Sequence, residues 1–381
     1  MFILSKEIQD FIQVNLKSDL HALLLKKSPF SGVSMQEIVQ QIKGRKVAEK
    51  KFPFLLTDGI IFPPNLNLEQ SSSQNTAEFK AQNLQGKKFL DLTLGFGIDA
   101  YFLSRNFEEI TLVEKNPELL EIVEHNWRTL NRKASFVNEN LEAFLAQNKE
   151  KFDLIYLDPA RRDEHKNKKF LLEDLSPDLL EIQEKLLEIS DKIIIKLSPL
   201  IDISYLISTL KNISKIEIIA VKNEVKELVV FMEKDHGKDS VEIFCINLES
   251  GDSVFNFTFK EGKNAVAAYS DVSDFLFIPN NSVLKSGAFN LVSERFGLKK
   301  LHPNTHFYTS DQVIENFPGR VLKIETVDSG EIKKGEKYNI ISKNHPLSPD
   351  EIKKKYRISD GGNRYLIFTQ SEKGKVILKS R

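Results

Sequence analysis

Phe89-Leu90-Asp91-Leu92-Thr93-Leu94-Gly95-Phe96-Gly97 decides how the chain is read. An apolar strand over Lys87–Thr93 ends at a carboxylate, a tight turn holds two glycines, and a helix begins near Ile98. Glycine, lacking a Cβ, lets backbone turn sharply and approach a ligand closely. The first N–H groups of the following helix have no partner within it. A second strand, Ile110–Glu114, ends in another acid about 20 residues after Asp91, as a reader of a ribose diol would. Asn116-Pro117 then caps and opens the next helix. The stretch predicts a nucleoside-binding βαβ unit.

A dinucleotide fingerprint places a pyrophosphate on the helix end after G-x-G-x-x-G. Here Ala100 takes the third glycine's place, an allowed variant, but Asp91 stands just before the loop. A carboxylate there repels a pyrophosphate and suits a ligand with a cationic amino group and no phosphate. S-adenosylmethionine (SAM) is such a ligand. Asp-x-x-x-Gly-x-Gly resembles motif I of the class I SAM-dependent methyltransferases, and Glu114 matches their ribose-binding acid. The glycine pair alone fits a generic α/β turn equally well.

Composition sets wide bounds. The 381 residues suffice for two to four domains, and 54 basic residues balance 54 acidic ones. No global field therefore points to a polyanionic partner. The one cysteine, Cys245, excludes an intrachain disulfide and fits a reducing cytosol. It sits in the apolar run Val241–Leu248 and reads as a small core residue. Met1–Leu4 is too short for a membrane span or signal sequence, so the expectation is a soluble, cytoplasmic protein. With no cysteine cluster and no H-E-x-x-H, no metal site is expected.

Residues 1–55 read as helices, with Ser34 a candidate cap. Lys43, Arg45, Lys50 and Lys51 form either a solvated helix end or an RNA-phosphate patch. Residues 56–80 are either a polar linker or a ligand-proximal segment, since Ser73-x-x-Thr76 looks like a helix start. From Lys87 strands alternate with helices: strands near 87–93, 110–115, 135–139, 152–158 and 192–198, then 215–222 and 226–233. Helices are expected over 98–106, 117–130, 141–148, 171–190 and 202–213. Such alternation implies a parallel, doubly wound sheet. The last two strands are joined too closely for a parallel crossover and should form an antiparallel hairpin. After about 236 the rhythm breaks, although Val241–Asn247 and Phe255–Phe259 still read as strands. The tail from 331 carries thirteen basic residues against six acidic ones, a candidate phosphate-binding appendage.

Several stretches together resemble the class I SAM methyltransferases that carry a C-terminal THUMP-like domain, described mostly as RNA methyltransferases. They are Gln41–Arg45, Glu69–Ser73, Asp91–Gly97, Asp158-Pro159-Ala160-Arg161-Arg162, Lys196-Leu197-Ser198-Pro199 and Pro279–Ala288, with Phe317–Arg320 and Asn344–Ser348 in the tail. His345 stands where an aromatic is expected and Val225 where the hairpin usually carries cysteine. The resemblance implies a Rossmann-like seven-stranded α/β core with ferredoxin-like and THUMP-like α+β modules after it. The expected division is a helical part over 1–80, a SAM-binding part over 81–236, a ferredoxin-like part over 237–312 and a basic THUMP-like part over 313–381. It also implies a lid before the first strand, to which Ser73 and Thr76 would belong, over the methionine end of SAM.

Ligands of doubly wound sheets bind outside the carboxyl ends of the strands, which puts Asp91, Glu114, Asn140 and Asp158 on one rim. Asp91, Thr93 and Gly95–Gly97 would hold the methionine half, Glu114 the ribose, and Asn140-Leu141 would flank the adenine. Methyltransferases acting on exocyclic base amines carry [Asp/Asn]-Pro-Pro-[aromatic]. Asp158-Pro159-Ala160-Arg161 keeps the acid and the proline and lacks the aromatic. Arg161 would stack on a base, grip a phosphate, or pair with Asp163 or Glu164. Arg162 and Lys196 are candidate substrate contacts, Lys196 alternatively a partner of Asp158. The expectation is SAM-dependent methylation of a base nitrogen in RNA, with RNA bound through the basic tail. A catalytically silent RNA-binding protein and a protein or small-molecule methyltransferase are the alternatives.

Overall fold

The computed structural model of the chain describes residues 2–161, 171–237 and 240–381, the Arg161 side chain apart. It divides into two units, Met1–Lys196 with Phe231–Asp235 and Leu197–Val230 with His236–Arg381.

The first unit begins with helices Lys6–Val14, Leu20–Leu24 and Met35–Lys51, which close on a core that includes Ile8, Ile12, Ile38 and Ile42. Ser34 starts the longest of them with a capping box: its hydroxyl accepts from Glu37 N–H while the Glu37 carboxylate accepts from Ser34 N–H. Two short helices follow, Asn65–Gln70 and Gln74–Lys80. Between them and the core helices, the Gln41 amide pairs with both backbone groups of Phe62, and the Asn126 amide does the same for Ile61.

Strands β1 (Gly86–Asp91), β2 (Phe107–Val113), β3 (Ser135–Val137), β4 (Leu154–Leu157) and β5 (Lys192–Leu197) then form a parallel array in the order β5-β4-β1-β2-β3. The continuous apolar runs in β4 and β5 suit strands buried on both faces. From β1 the chain adds β2 and β3 on one side and then β4 and β5 on the other, so strand order switches between β1 and β4, the point where such sheets open a crevice. Asp91 lies in register with Leu112 on one side and Tyr156 on the other.

The helices expected over 98–106 and 202–213 end early, at Leu103 and Thr209, and a third is shortened at its start. In place of a helix over 171–190, the helix runs only from Leu179 to Ile189, with Asp178 as its cap. Pro177 explains the delay, because proline lacks an N–H and forces its predecessor out of helical conformation. Leu175-Ser176 instead pairs with Ala160-Arg161 as a two-residue antiparallel ribbon.

β6 (Ile213–Val221) lies in the second unit, as does β7 (Glu224–Glu233) up to Val230, and the two are sheet neighbours joined by Lys222-Asn223. Both turn residues have positive φ, 49° and 68°, as a two-residue hairpin requires. β8 (Glu242–Leu248) pairs in parallel with β6, and β9 (Phe255–Thr258) runs antiparallel to β8. Cys245 on β8 is fully buried, and burial pushes its thiol up to about 12, so it packs as a small apolar residue.

A second sheet is made of β10 (Ala268–Tyr269), β11 (Phe275–Pro279), β12 (Lys299–His302), β13 (Thr305–Ser310), β14 (Gly319–Thr326), β15 (Lys337–Ser342), β16 (Ser359–Ser371) and β17 (Gly374–Ser380). Its order is β10-β12-β13-β11-β14-β17-β16-β15. Leu276, Leu301, Ile324 and Ile367 form one of its cores; Tyr338, Ile352 and Phe368 belong to another. Among the described residues, no helix is long and apolar enough to cross a membrane.

Candidate active site

The glycine turn after β1 is held by its own acids. The Asp91 carboxylate accepts from Thr93 N–H at 2.8 Å, and the Glu114 carboxylate accepts from Gly95 N–H and Asn116 N–H, both at 2.9 Å. Gly97 caps the helix Ile98–Leu103 at φ 75°, and a Cβ there would lie 3.0 Å from Val123 Cγ1. Any other residue would be strained and crowded at once. Gly95, at φ 55°, has open space where a Cβ would point, with only the Thr93 carbonyl at 3.9 Å. Thr93 also ties β1 to β4, its hydroxyl accepting from Asp158 N–H at 2.6 Å.

Asp91 is 1% exposed. Burial pushes its carboxyl well above the usual range; the Thr93 N–H opposes the shift, and Asp99, Asp158 and Glu114 add to it by repulsion. No cation is among the groups acting most strongly on it. Among the described residues, this carboxyl has no ion-pair partner of the kind that normally makes burial tolerable.

Asp99, on the first turn of the next helix, is buried under the opposite condition. Its carboxylate meets Lys80 Nζ at 2.9 Å and Lys196 Nζ at 3.4 Å, and accepts from the Ser72 and Tyr156 hydroxyls at 2.7 Å each. Burial alone would raise its carboxyl, but the two lysines outweigh this and hold it well below the usual range. Lys196 also pairs with the Asp158 carboxylate. Asp158 is the open end of this chain of charges, its side chain 35% exposed. Its surroundings still raise its carboxyl, enclosure winning over the attraction of Lys196.

The remaining expected residues have these places. Asn140 caps the helix Leu141–Gln147, its side chain accepting from Ala143 N–H, and Leu141 is buried. Ser73 caps the helix Gln74–Lys80 by accepting from Thr76 N–H, and the Thr76 hydroxyl donates to the Ser73 carbonyl at 3.0 Å. Pro159 follows Asp158 directly, and Arg161 closes the short ribbon. Arg162, with Asp163 and Glu164, lies outside the described residues.

Sequence reading did not single out Ser72, Lys80, Asp99 or Tyr156. The available signals were one acid in the apolar helix Ile98–Leu103 and one lysine closing Ile193-Ile194-Ile195. A hollow lined by Lys88, Lys151 and Asp191, among others, lies at the other ends of the strands and takes no part in this arrangement.

Comparisons with known proteins follow the same outline. Family models match three stretches: "Conserved hypothetical protein 95" over 73–190, a ferredoxin-like domain over 275–318 and a THUMP-like domain over 319–381. A crystal structure described as a "putative methyltransferase" from Porphyromonas gingivalis W83 is 30% identical, covers 99% of this chain and 97% of its own, and superposes with a TM-score of 0.86. An rRNA methylase from Streptococcus thermophilus is 16% identical over 42% of this chain and 94% of its own, TM-score 0.32. The T. thermophilus 16S rRNA N2 G1207 methyltransferase, solved with AdoMet and guanosine, is 16% identical over 45% of this chain and 43% of its own, TM-score 0.33. The last two superpose too loosely to carry an argument. No curated protein matches the chain.

Proposed function

Since this chain belongs to the class I SAM-dependent methyltransferases with ferredoxin-like and THUMP-like C-terminal domains, we propose that it transfers the methyl group of SAM to a base nitrogen of RNA. The observation that carries the reading is Asp91, a buried carboxylate beside a glycine turn that Asp99, Asp158 and Glu114 repel. A cationic ligand without phosphate supplies the missing counter-charge, whereas a pyrophosphate would add to the repulsion.

In this reading Asp91, Thr93, Gly95 and Gly97 hold the methionine half, with Ser73 and Thr76 on the segment before β1. Glu114 takes the ribose hydroxyls, and Asn140-Leu141 flank the adenine. SAM supplies a methyl group already activated by its cationic sulfur, so the protein's task is alignment. Asp158 and the backbone at Pro159 accept N–H bonds from the substrate amine and turn its lone pair toward the methyl group. The new nitrogen–carbon bond would replace the sulfur–methyl bond, S-adenosylhomocysteine would be left, and the proton the nitrogen sheds would pass to the Asp158 carboxylate. Arg161 and Arg162 follow Asp158 in sequence and would face the base or its phosphate, and the basic THUMP-like part would hold RNA.

Calorimetry is expected to show binding of SAM and S-adenosylhomocysteine and none of NAD. Asp158→Ala should abolish label transfer from tritiated SAM to total RNA while keeping cofactor affinity; normal turnover would refute its role. RNA retained without label would favour a binding protein, and RNA binding insensitive to salt would count against phosphate contacts.

A further inference from the structure

The first unit contains a buried polar hub that the proposed chemistry has not used. Ser72 and Lys80 come from the segment before β1, Asp99 from the helix after it, Tyr156 from β4 and Lys196 from β5. All five are buried. Ser72 Oγ receives hydrogen bonds from Lys80 at 2.9 Å and Lys196 at 3.2 Å while donating to Asp99. Among the described residues, the charged groups facing Asp158 from the packed elements are Lys196 on β5, Asp99 with Lys80 behind it, and Asp91 on β1. The hub therefore delivers one lysine to the one partly exposed carboxylate and fixes that lysine from behind.

Resting on the reading of Asp158 given above, we propose that Lys196 and Asp99 are positioning residues acting through Asp158. Lys196, anchored on Asp99, keeps this carboxylate ionised and aimed at the substrate's N–H. An acid at that place must be ionised to accept the bond, and enclosure works against ionisation. Lys196 supplies the opposing attraction. Asp99 plays two parts: it anchors Lys196, yet as a second anion it repels Asp158 and shares the lysine's charge. The two residues therefore push the Asp158 titration in opposite directions, which no purely structural role requires.

The test is carbon NMR of the full chain labelled at aspartate carboxyls, with the Asp158 signal assigned by its loss in Asp158→Asn. Lys196→Met should raise the Asp158 midpoint by about one pH unit or more, and Lys196→Arg should restore it. Asp99→Asn, which keeps the side-chain shape and can still accept from Tyr156 and Ser72, should lower it. The acid limb of RNA methylation should move in the same directions while SAM affinity stays constant. A midpoint unmoved in Lys196→Met, or moved the same way in both variants, would overturn the inference. Should Lys196→Met not fold, Lys196→Arg and Asp99→Asn decide it: a midpoint unchanged or raised in Asp99→Asn would overturn it. If the midpoints move as stated but Asp158→Ala still transfers methyl groups, it is the use of Asp158 in the proposed function that fails.

Discussion

Asp91 and Asp99 stand eight residues apart on either side of one glycine turn, both buried, in opposite electrostatic states. Asp99 is met by two lysines, two hydroxyls and a depressed carboxyl; Asp91 is met by one backbone N–H, three acids and a raised one. A fold pairs the charges it needs for its own stability. A buried acid it does not pair is a place kept for something else. The contrast separates an acid paired within the fold from one that, in the proposed function, receives the ammonium of SAM.

The comparison can be broken most forcefully at Asp99. Asp99→Ala strands Lys80 and Lys196 without their shared anion and should cost about 3–5 kcal/mol of stability, read by urea unfolding at neutral pH. Because its folded carboxyl is depressed, the contribution is present above the ordinary aspartate range and fades as the pH falls toward the folded value. A wild-type unfolding midpoint there would erase the distinction.

Asp91→Asn should do the reverse. Its folded carboxyl is raised, so the stability it gives is present in acid and lost as pH rises through the folded value. Asparagine stays neutral, so the variant should gain on the parent with rising pH, seen as a higher melting temperature in alkaline buffer. The same change should weaken SAM by roughly 30-fold, or about 2 kcal/mol, in calorimetry. Unchanged affinity would mean that Asp91 awaits no cation.

Glu114→Ala sharpens the contrast from the far side of the turn. The loss of a carboxylate acceptor should cost SAM about tenfold in affinity. The smallest effect belongs to exposed charge. Lys353, itself partly exposed, pairs with the well-exposed Asp350 at 2.7 Å and Asp360 at 2.6 Å. Lys353→Ala should leave the melting temperature unmoved, since solvent screens such pairs.

Much of this was legible beforehand for definite reasons. Period and punctuation fixed the βα alternation, and the turn residues Gly95 and Gly97 marked the rim because few other residues suit left-handed backbone. The delayed start of the Leu179 helix was written in Pro177, whose local veto outranks the apolar pattern around it. The pairing of β8 with β6 was not legible, because alternation says that a strand exists and not which neighbour it takes. Nor was the hub. Lys80 looks like an ordinary basic residue, and although Lys196 stood out as a candidate partner of Asp158, only tertiary approach across 116 positions (196 − 80) reveals the anion the two lysines share.

Ser72 and Lys80 precede the first strand, yet they complete the charge balance of a residue that follows it. A fragment cut at Gly86 would keep five strands and their helices while leaving Asp99 with a single lysine. The stretch of chain that keeps the full charge balance of Asp99 therefore starts upstream of the glycine turn. A chimera that grafts this sheet onto another scaffold would have to carry the preceding helix with it.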